Sequence, residues 1–334
     1  MVGEWEDANG RTRYIYGKDE GKVSERVAEA IKNRDAGIDS ENMTVGGYMD
    51  RWLIAIRDTV RVGTWNQYEM IVRIHIKPTL GSTRLDKLNA LQIQAFYRER
   101  LDAGVSVRRV QYAHVTIHKA LKDAVRWRLV PFNVADAVTP PRPNKPEITP
   151  LSAEQVKVLL ATARGDRLEA LYVLAVTTGM RIGEMFGLKW ADADLEAGTV
   201  QVTRTVAADG TINPPKTSSG SRIIRLSRMA MRALSEHPCA SGWVFPSAAG
   251  TPIGICNFHK NSWRPLLQRA GLPPTRFHDL RHTAATLMLS RGVPVKVVSE
   301  MLGHADVSTT LSIYAHVLPD MQGPAADAMD DLLS

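Results

Sequence analysis

The chain has 334 residues, of which 44% are hydrophobic and 23% charged, which excludes a disordered protein and predicts two or three domains. The 42 Lys and Arg residues against 35 Asp and Glu give a net charge of +7, which favours a polyanionic partner. No apolar run is long enough to span a bilayer and the N-terminus lacks the pattern of a secretion signal, so we expect a cytoplasmic protein that does not contact a membrane.

Residues 1–42 predict a small N-terminal unit made of a β-hairpin and one helix. The segment GEWEDANGRTRYIYGK places Ala8-Asn9-Gly10 between two short strands. Asn-Gly is a strong signal for a two-residue hairpin turn because both positions tolerate positive φ. The next segment, KVSERVAEAIKNRDAG, has apolar residues at helical spacing and reaches a stop at Gly37.

Residues 43–138 predict a domain of four helices. The stretches that begin near Thr44, Thr64, Leu88 and Val105 have helical periodicity, and the breaks between them are Gly63, Pro78–Gly81 and Gly104. Many positions that this periodicity leaves exposed are basic: Arg57, Arg61, Arg73, Arg108, Arg109, Lys119, Lys122 and Arg126. Few acidic residues alternate with them, so the surface fits either a solvated helix face or contact with DNA.

The segment TPPRPNKPEITP, residues 139–150, is rich in proline and predicts a stiff, extended linker. The third unit, residues 151–334, opens with a helix in which Ser152 and Gln155 have the spacing of a capping box. Further helices follow, interrupted by the strands TVQVTRTV and SRIIRLS. The chain is therefore predicted to be multidomain and mainly α, with an α+β third domain that contains a small antiparallel sheet.

Several familiar active sites are absent from the sequence. It contains no GxxxxGK[ST] loop, no GxGxxG after a strand and no GxSxG elbow. Cys239 and Cys256 are too few for a metal quartet or a disulfide framework. His278 and His282 have the i, i+4 spacing of a zinc-binding pair, but no third ligand of matching context accompanies them. We therefore expect neither a metal nor a cofactor, with zinc as the less favoured alternative.

The polar groups of the third unit favour phosphodiester chemistry. They are Arg181, Glu184, Lys216, His278, Arg281, His304 and Tyr314. Two guanidinium groups can donate to the non-bridging oxygens and offset the charge of the transition state without a metal. A tyrosine attacks poorly at neutral pH, but nearby arginines lower its pKa and make the phenolate more accessible. A lysine or a histidine would protonate the leaving 5′ oxygen. Each residue alone also has a structural interpretation, as a half-buried aromatic, a surface arginine or a helix salt bridge.

At these residues the chain resembles the tyrosine recombinase, or phage integrase, family. TGMRIGE is similar to the first arginine box of that family, HDLRHT to its H-x-x-R box, and LGHADVSTTLSIYAH to the box that ends in the tyrosine nucleophile. Lys216, in PPKTSSGSR, stands where the family carries a lysine on a β-hairpin. The four-helix unit resembles the SAM-like core-binding domain, and residues 1–42 resemble the arm-type DNA-binding domain of integrases.

The resemblance implies a role for each matching residue. Tyr314 would attack the scissile phosphate and become 3′-phosphotyrosyl. Arg181 and Arg281 would clamp the phosphate, with His278 and His304 in support. Lys216 would be the acid for the 5′ hydroxyl, and Glu184 a buried brace. His282 and His316 are expected to be structural or solvated. Other contacts with DNA are expected from Arg11, Arg13, Lys18, Arg108, Arg109 and Lys119.

The implied function is site-specific recombination for a temperate phage or an integrative element, at the nucleoid in the cytoplasm of a bacterial host. The implied partners are double-stranded DNA with core-type and arm-type attachment sites, three further copies of the chain in a tetramer on DNA, and an excisionase or a host DNA-bending protein. Alternatives are a Xer-type chromosome-dimer resolvase, a type IB topoisomerase and a DNA-binding regulator without catalytic activity.

The acidic tail after Tyr314 predicts a short helix with one apolar stripe. Ala326, Met329, Leu332 and Leu333 fall at roughly helical spacing, with aspartates on the other side. Such a stripe must be buried, and we expect it to dock on a neighbouring protomer. Docking on its own domain is the alternative.

Overall fold

The structure is a computed structural model, and it describes residues 1–6, 11–35, 43–143, 149–215, 218–238, 242–314 and 329–333. The chain divides into two compact units, residues 1–145 and 146–334. The first contains the N-terminal hairpin and the four-helix region, and the second contains the candidate active site. None of the described helices is long and apolar enough to cross a membrane.

The hairpin consists of β1 (Val2–Glu6) and β2 (Thr12–Tyr16), which pair antiparallel with Trp5 opposite Arg13. The helix α1 (Glu20–Asp35) packs on this sheet. The approach is close at Gly3, where a Cβ atom would lie 2.6 Å from Cγ2 of Val27. The predicted turn at Ala8-Asn9-Gly10 lies outside the described residues.

The four-helix region contains the predicted helices, with differences at two of the predicted breaks. Its elements are α2 (Val45–Ile56), α3 (Val62–Ile71), α4 (Lys77–Leu80), α5 (Ala90–Asp102) and α6 (Val107–Arg126). Residues Val72–Ile76 form a π-helical turn that joins α3 to α4 without a break. Pro78 therefore lies inside a continuous helix, because the widened turn before it tolerates a residue without an N–H group. Gly63 lies in the first turn of α3 and does not separate two helices.

The core of this region contains a buried carboxylate that connects two helices. Asp123 is 2% exposed, and its carboxylate accepts hydrogen bonds from the indole N–H of Trp52 at 2.9 Å and from Nζ of Lys119 at 2.7 Å. These bonds join α2 to α6 and satisfy a charge that would otherwise be costly to bury.

The second unit is helical around small antiparallel sheets, as predicted for the third domain. Its helices are α7 (Ala153–Thr162), α8 (Glu169–Thr178), α9 (Ile182–Phe186), α10 (Arg228–Ser235), α11 (Ile255–Phe258), α12 (Arg264–Arg269), α13 (Asp279–Ser290), α14 (Val295–Leu302) and α15 (Val307–Tyr314). Its strands are β3 (Ala193–Asp194), β4 (Thr199–Val202), β5 (Thr205–Val206), β6 (Ile212–Asn213) and β7 (Arg222–Arg225). One sheet has the order β3-β4-β7, with Val200 opposite Ile224, and β5 pairs with β6.

The core of the second unit holds α8 in its centre. Seven of the ten residues of this helix are apolar, and its buried residues lie on all its sides because α7, α10 and α13 all pack against it. Ser152 and Gln155 form the predicted capping box at the start of α7. Just before it, the amide of Leu151 donates to the buried hydroxyl of Thr283 on α13 at 3.0 Å. That bond fixes the start of the unit to the helix that carries Arg281.

Candidate active site

The C-terminal end of α14 is the point at which three arginines meet. The carbonyl of Met301 accepts from Nε of Arg222 at 2.6 Å, and the carbonyl of Leu302 accepts from Nη2 of Arg281 at 2.7 Å. Nη2 of Arg181 approaches the next carbonyl, that of Gly303, at 3.5 Å. The last carbonyls of a helix lack partners within the helix and carry partial negative charge, so they attract cations.

Two glycines make this convergence possible. The second donor of Arg281, Nη1, binds the carbonyl of Gly179 at the end of α8 at 2.8 Å. Gly179 and Gly303 end their helices with φ of +64° and +69°, the left-handed conformation that glycine adopts most easily. A Cβ atom on Gly179 would lie 2.5 Å from Cδ2 of Leu302, and one on Gly303 would lie 2.8 Å from Nη1 of Arg222. Both helix ends therefore require glycine.

The buried carboxylate of Glu184 holds two of these arginines. It accepts from the backbone N–H of Arg181 at 3.0 Å, from Nη1 of Arg181 at 2.8 Å, and from Nη2 of Arg222 at 2.9 Å. Burial by itself would raise the pKa of Glu184, but the hydrogen bonds and charges of Arg222 and Arg181 outweigh it and keep this pKa below its ordinary value. The contacts of Glu184 are those of a brace, and Arg222, which the sequence analysis did not single out, is its main partner.

The two candidate clamp arginines differ in exposure. Arg281 is 4% exposed, whereas the side chain of Arg181 is 41% exposed. Burial, and then the charge of Arg181, lowers the pKa of Arg281 to about 9, so the guanidinium of Arg281 is a cation at neutral pH. Each has five N–H donors, and the contacts above leave some of them for a further acceptor.

The two candidate supporting histidines are neutral at pH 7. His304 follows Gly303, and its Nδ1 lies 2.8 Å from the hydroxyl of Thr310. Loss of water on burial, and then the charge of Arg281, lowers the pKa of His304 to about 4. His278 precedes α13 and keeps an exposed edge, yet partial burial of its ring and the charge of Arg281 also lower its pKa to about 4.

Tyr314 ends α15 and is 3% exposed. Its hydroxyl lies 2.5 Å from Nδ1 of His282 on α13, although the sequence indicated a structural or solvated role for that histidine. The sequence predicted that nearby arginines lower the pKa of Tyr314, and Arg281 does act in that direction. Burial raises this pKa to about 12, and the opposing effect of Arg281 is smaller. The phenol is therefore protonated in the protein without DNA.

The remaining predicted residues belong to the first unit or lie outside the described part of the chain. Lys216, His316 and Cys239 belong to segments outside the described residues. Arg11, Arg13 and Lys18 are exposed on or beside the hairpin. Arg108 and Arg109 are exposed on α6, and Arg108 lies over the ring of Tyr112 at 5.8 Å. Lys119 is bound to Asp123, which offsets its charge. Among the described residues, no group of three His, Cys, Asp or Glu could hold a metal ion.

A helical domain that gathers arginines, histidines and a C-terminal tyrosine beside a small antiparallel sheet is that of a tyrosine recombinase, an enzyme that exchanges DNA strands. Comparison with known proteins gives the family. Residues 150–321, just over half of the chain, match the phage integrase family, and residues 44–101 match the N-terminal SAM-like domain of phage integrases. The chain belongs to the phage integrase family.

Named relatives and solved structures agree with this assignment. A tyrosine recombinase XerC-like protein of Caldanaerobacter subterraneus subsp. tengcongensis is 29% identical over 98% of this chain and 94% of its own length. The ICEBs1 integrase of Bacillus subtilis is 25% identical over 80% of this chain and 78% of its own. The fold is similar to that of the Tn1549 transposon integrase in complex with a circular intermediate DNA, with a TM-score of 0.72, 21% identity, and coverage of 88% of this chain and 100% of that one.

Proposed function

We propose that the chain cuts and rejoins DNA through a covalent bond between Tyr314 and the 3′ phosphate of the scissile position. The observation that carries this proposal is the place of the Tyr314 hydroxyl, 2.5 Å from Nδ1 of His282, the residue directly after Arg281. Arg281 and Arg181 in turn meet at the adjacent carbonyls of Leu302 and Gly303. The energy of the broken phosphodiester is kept in the phosphotyrosine, so no nucleotide is needed.

Arg181 and Arg281 would bind the non-bridging oxygens of the scissile phosphate. The donors of Arg281 to Gly179 and Leu302 fix the plane of its guanidinium before the substrate arrives. Preorganised donors of this kind stabilise the charge of a transition state without reorganisation during the reaction. Glu184 and Arg222 would act only by holding Arg181 in position.

Lys216 would protonate the leaving 5′ oxygen. His278 and His304 both have a pKa of about 4, so in the free enzyme neither carries a proton to give at neutral pH. As neutral rings they would donate hydrogen bonds to the phosphate. The lysine is then the remaining candidate from the sequence analysis for the general acid.

The substrate would be double-stranded DNA with core-type sites, and residues 1–42 would bind arm-type sites. Arg11, Arg13 and Lys18 would contribute to the arm contacts, and Arg108, Arg109 and Lys119 to the core contacts, with Lys119 the weakest candidate because Asp123 already binds it. Integration of a phage or mobile element is favoured over chromosome-dimer resolution because of the N-terminal hairpin. The XerC-like relative is the reason to test that alternative.

Four protomers would assemble on DNA in a bacterial cytoplasm, with an excisionase or a DNA-bending protein as further partners. A similar fold, that of the lambda integrase, has been solved as a tetramer bound to a Holliday junction, with a TM-score of 0.63 and 18% identity over 91% of this chain and 93% of that one. Residues 329–333 of the tail are helical, and Met329, Leu332 and Leu333 are 54%, 77% and 77% exposed. An apolar stripe that is open in the single chain supports docking in trans.

A suicide substrate tests the central proposal. A core site taken from the junction between the element and its host DNA, with a nick beside the cut, traps the covalent adduct because the short fragment diffuses away. The wild type should accumulate a protein–DNA adduct on a denaturing gel, and Tyr314→Phe should bind the site without forming one. An adduct formed by the Phe variant at the normal rate would exclude Tyr314 as the nucleophile. A recombination assay with two complete attachment sites on separate duplexes, followed by sequencing of the products, distinguishes integration from dimer resolution.

A further inference from the structure

The closest contact of the Tyr314 hydroxyl is with a residue to which the sequence motifs give no role. Nδ1 of His282 lies 2.5 Å from that oxygen, and the two ring centroids are 5.8 Å apart. His282 is half buried on α13, directly after Arg281. Within the part of the chain that the structure describes, the Tyr314 hydroxyl makes no other hydrogen bond.

The other groups that could receive a proton in this region are already engaged. The carboxylate of Glu184 binds Arg222 and Arg181. The carboxylate of Asp279 binds the guanidinium of Arg276 through both oxygens, at 3.0 and 2.7 Å. These bonds occupy both carboxylates, and neither carboxylate is hydrogen-bonded to the phenol.

In the part of the chain that the structure describes, neither His304 nor His278 is hydrogen-bonded to the phenol. Nδ1 of His304 is bound to the hydroxyl of Thr310 at 2.8 Å. The ring of His278 packs edge to face on that of His282, with centroids 5.5 Å apart. His282 therefore lies between His278 and Tyr314, and it alone of these histidines contacts the nucleophile.

The protonation states of both partners fit a proton transfer. The pKa of Tyr314 is raised to about 12, so the phenol must lose its proton when it attacks. Burial lowers the pKa of His282; the charge of Asp279 opposes this, and those of Arg281 and Arg276 add to it. Two titratable groups from other helices face this ring: Tyr314 of α15 and His304, which follows α14. The other charged or titratable groups around it belong to α13 or to the residues just before that helix: Arg276, His278, Asp279 and Arg281. The ring is neutral at pH 7 and its Nδ1 can accept.

We infer that His282 is a further catalytic residue, the base that accepts the phenolic proton of Tyr314 in the strand-cleavage reaction proposed above, on which this inference rests. As the bond between the Tyr314 oxygen and phosphorus forms, the proton moves from that oxygen to Nδ1 of His282, whose Nε2 keeps its hydrogen. The bond between phosphorus and the 5′ oxygen breaks, and that oxygen takes a proton from a different group. On rejoining, the 5′ hydroxyl attacks phosphorus and gives its proton back to that other group. The bond between phosphorus and the Tyr314 oxygen breaks, and the imidazolium returns its proton to that oxygen.

Two substitutions separate proton transfer from simple positioning. In His282→Asn the amide oxygen reaches the position of Nδ1 and accepts the same hydrogen bond, but it cannot take up the proton. In His282→Ala both functions are lost. Single-turnover cleavage of the nicked suicide site should be slower by about a hundredfold or more in both variants, since general bases contribute a factor of about 100 to 10,000. Binding of the site should be unchanged.

The pH profile gives a readout that a structural role does not change. The wild-type cleavage rate should fall on the acid side as Nδ1 of His282 becomes protonated, and His282→Asn should lack that limb. His278 and His304 have a pKa of about 4, so their protonation changes the cleavage rate only near that pH. His237→Asn is a matched control, because His237 is a part-buried histidine of the same unit, bound to the carbonyl of Val244 at 2.8 Å. It should keep the wild-type rate and profile.

A substrate with sulfur in place of the bridging 5′ oxygen distinguishes the base from the acid. A thiolate leaves without protonation, because thiol pKa values are near 8.5 and far below those of alcohols. This substrate should restore cleavage in Lys216→Ala but not in His282→Asn. Three results would each overturn the inference: the sulfur substrate restores cleavage in His282→Asn, that variant cleaves the ordinary substrate at the wild-type rate, or its cleavage rate still falls on the acid side of the pH profile. In those cases adduct formation by the wild type but not by Tyr314→Phe would leave the proposed function standing, whereas absence of adduct in the wild type would refute both.

Discussion

Arg222 donates two hydrogen bonds to the carboxylate of Glu184, at 2.9 and 3.3 Å, and the side chains of both residues are more than nine-tenths buried. This pair joins β7 to α9 beneath the exposed guanidinium of Arg181. It is a charged contact in the interior of the unit, and through Glu184 it holds the guanidinium of Arg181.

Glu184→Gln should lower the free energy of unfolding of the second unit by about 3 kcal/mol or more, because it leaves the buried guanidinium of Arg222 without a counter-charge. Chemical denaturation followed by tryptophan fluorescence measures the change. Arg269→Gln is the control, since its contact with Asp166 at 3.3 Å is at the surface. That change should cost less than about 1 kcal/mol. Equal costs for the two variants would contradict the role assigned to the buried pair.

Arg181→Ala should slow strand cleavage by about a hundredfold or more while leaving site binding and stability close to wild type, since one transition-state donor is worth about 3 kcal/mol. Its side chain is 41% exposed, so its removal leaves little buried surface unpaired. A methylphosphonate at the scissile position removes one charged oxygen and should partly restore cleavage. Arg281→Ala should also melt at a lower temperature, because the carbonyls of Gly179 and Leu302 lose their partner. Unchanged cleavage by Arg181→Ala would rule out the clamp.

The second unit should lose stability as the pH falls from about 6.5 to about 4. His304 has a folded pKa of about 4, below the ordinary value of 6.5, so in this range the unfolded chain binds more protons than the folded one. Protonation therefore favours unfolding. His304→Gln should reduce the acid-induced loss in the free energy of unfolding by about 1 kcal/mol, which corresponds to roughly 3 °C in the melting temperature of a domain of this size. Calorimetry at several pH values measures it. His118→Gln, at the surface of the other unit, should leave the dependence intact; an unaltered pH dependence in His304→Gln would contradict the prediction.

Removal of residues 323–334 should weaken the synaptic tetramer while single-site binding stays nearly intact, because the exposed tail helix is proposed to dock on a neighbour. Analytical ultracentrifugation with core-site DNA gives the assembly state, and filter binding at low protein concentration gives the single-site affinity. A large fall in the melting temperature of the isolated protomer would instead mean that the tail packs on its own domain.

Removal of residues 1–42 should abolish binding to arm-type sites and spare cleavage at the core site. The hairpin and α1 contact one another extensively, which lets the unit be removed with its own small core. Footprinting on DNA that spans the whole attachment region shows which protections disappear. The prediction is wrong if the truncated protein no longer cleaves the core site but still protects the arm-type sites in the footprint.

The helices and the motif residues were predictable from the sequence because they depend on local order. Periodicity gave the helices of both units, and the short boxes gave Arg181, Arg281, His304 and Tyr314. The continuity of α3 through Pro78 was not predictable, since a π turn depends on packing around the helix and not on one residue. The roles of the motif residues remain predictions until the substitutions are measured.

Two contacts in the site arise only from tertiary structure. A signal for Arg222 was present in the sequence, because the period-2 pattern of β7 places it on the same face as the buried Ile224. Its partner Glu184 lies 38 residues away and could not be inferred. His282 and Tyr314 are 32 residues apart and meet because α15 returns to α13. The raised pKa of Tyr314 follows from that burial, so charge counting alone gave the wrong sign.

The hydrogen bond from the Leu151 amide to Thr283 has a mechanical consequence. Leu151, the first residue after residues 139–150, is attached to α13 at the position directly after His282. We therefore expect a force on residues 139–150 to reach the helix that bears Arg281 before it reaches α7. Changes in the length of this segment should then alter the rate of strand cleavage.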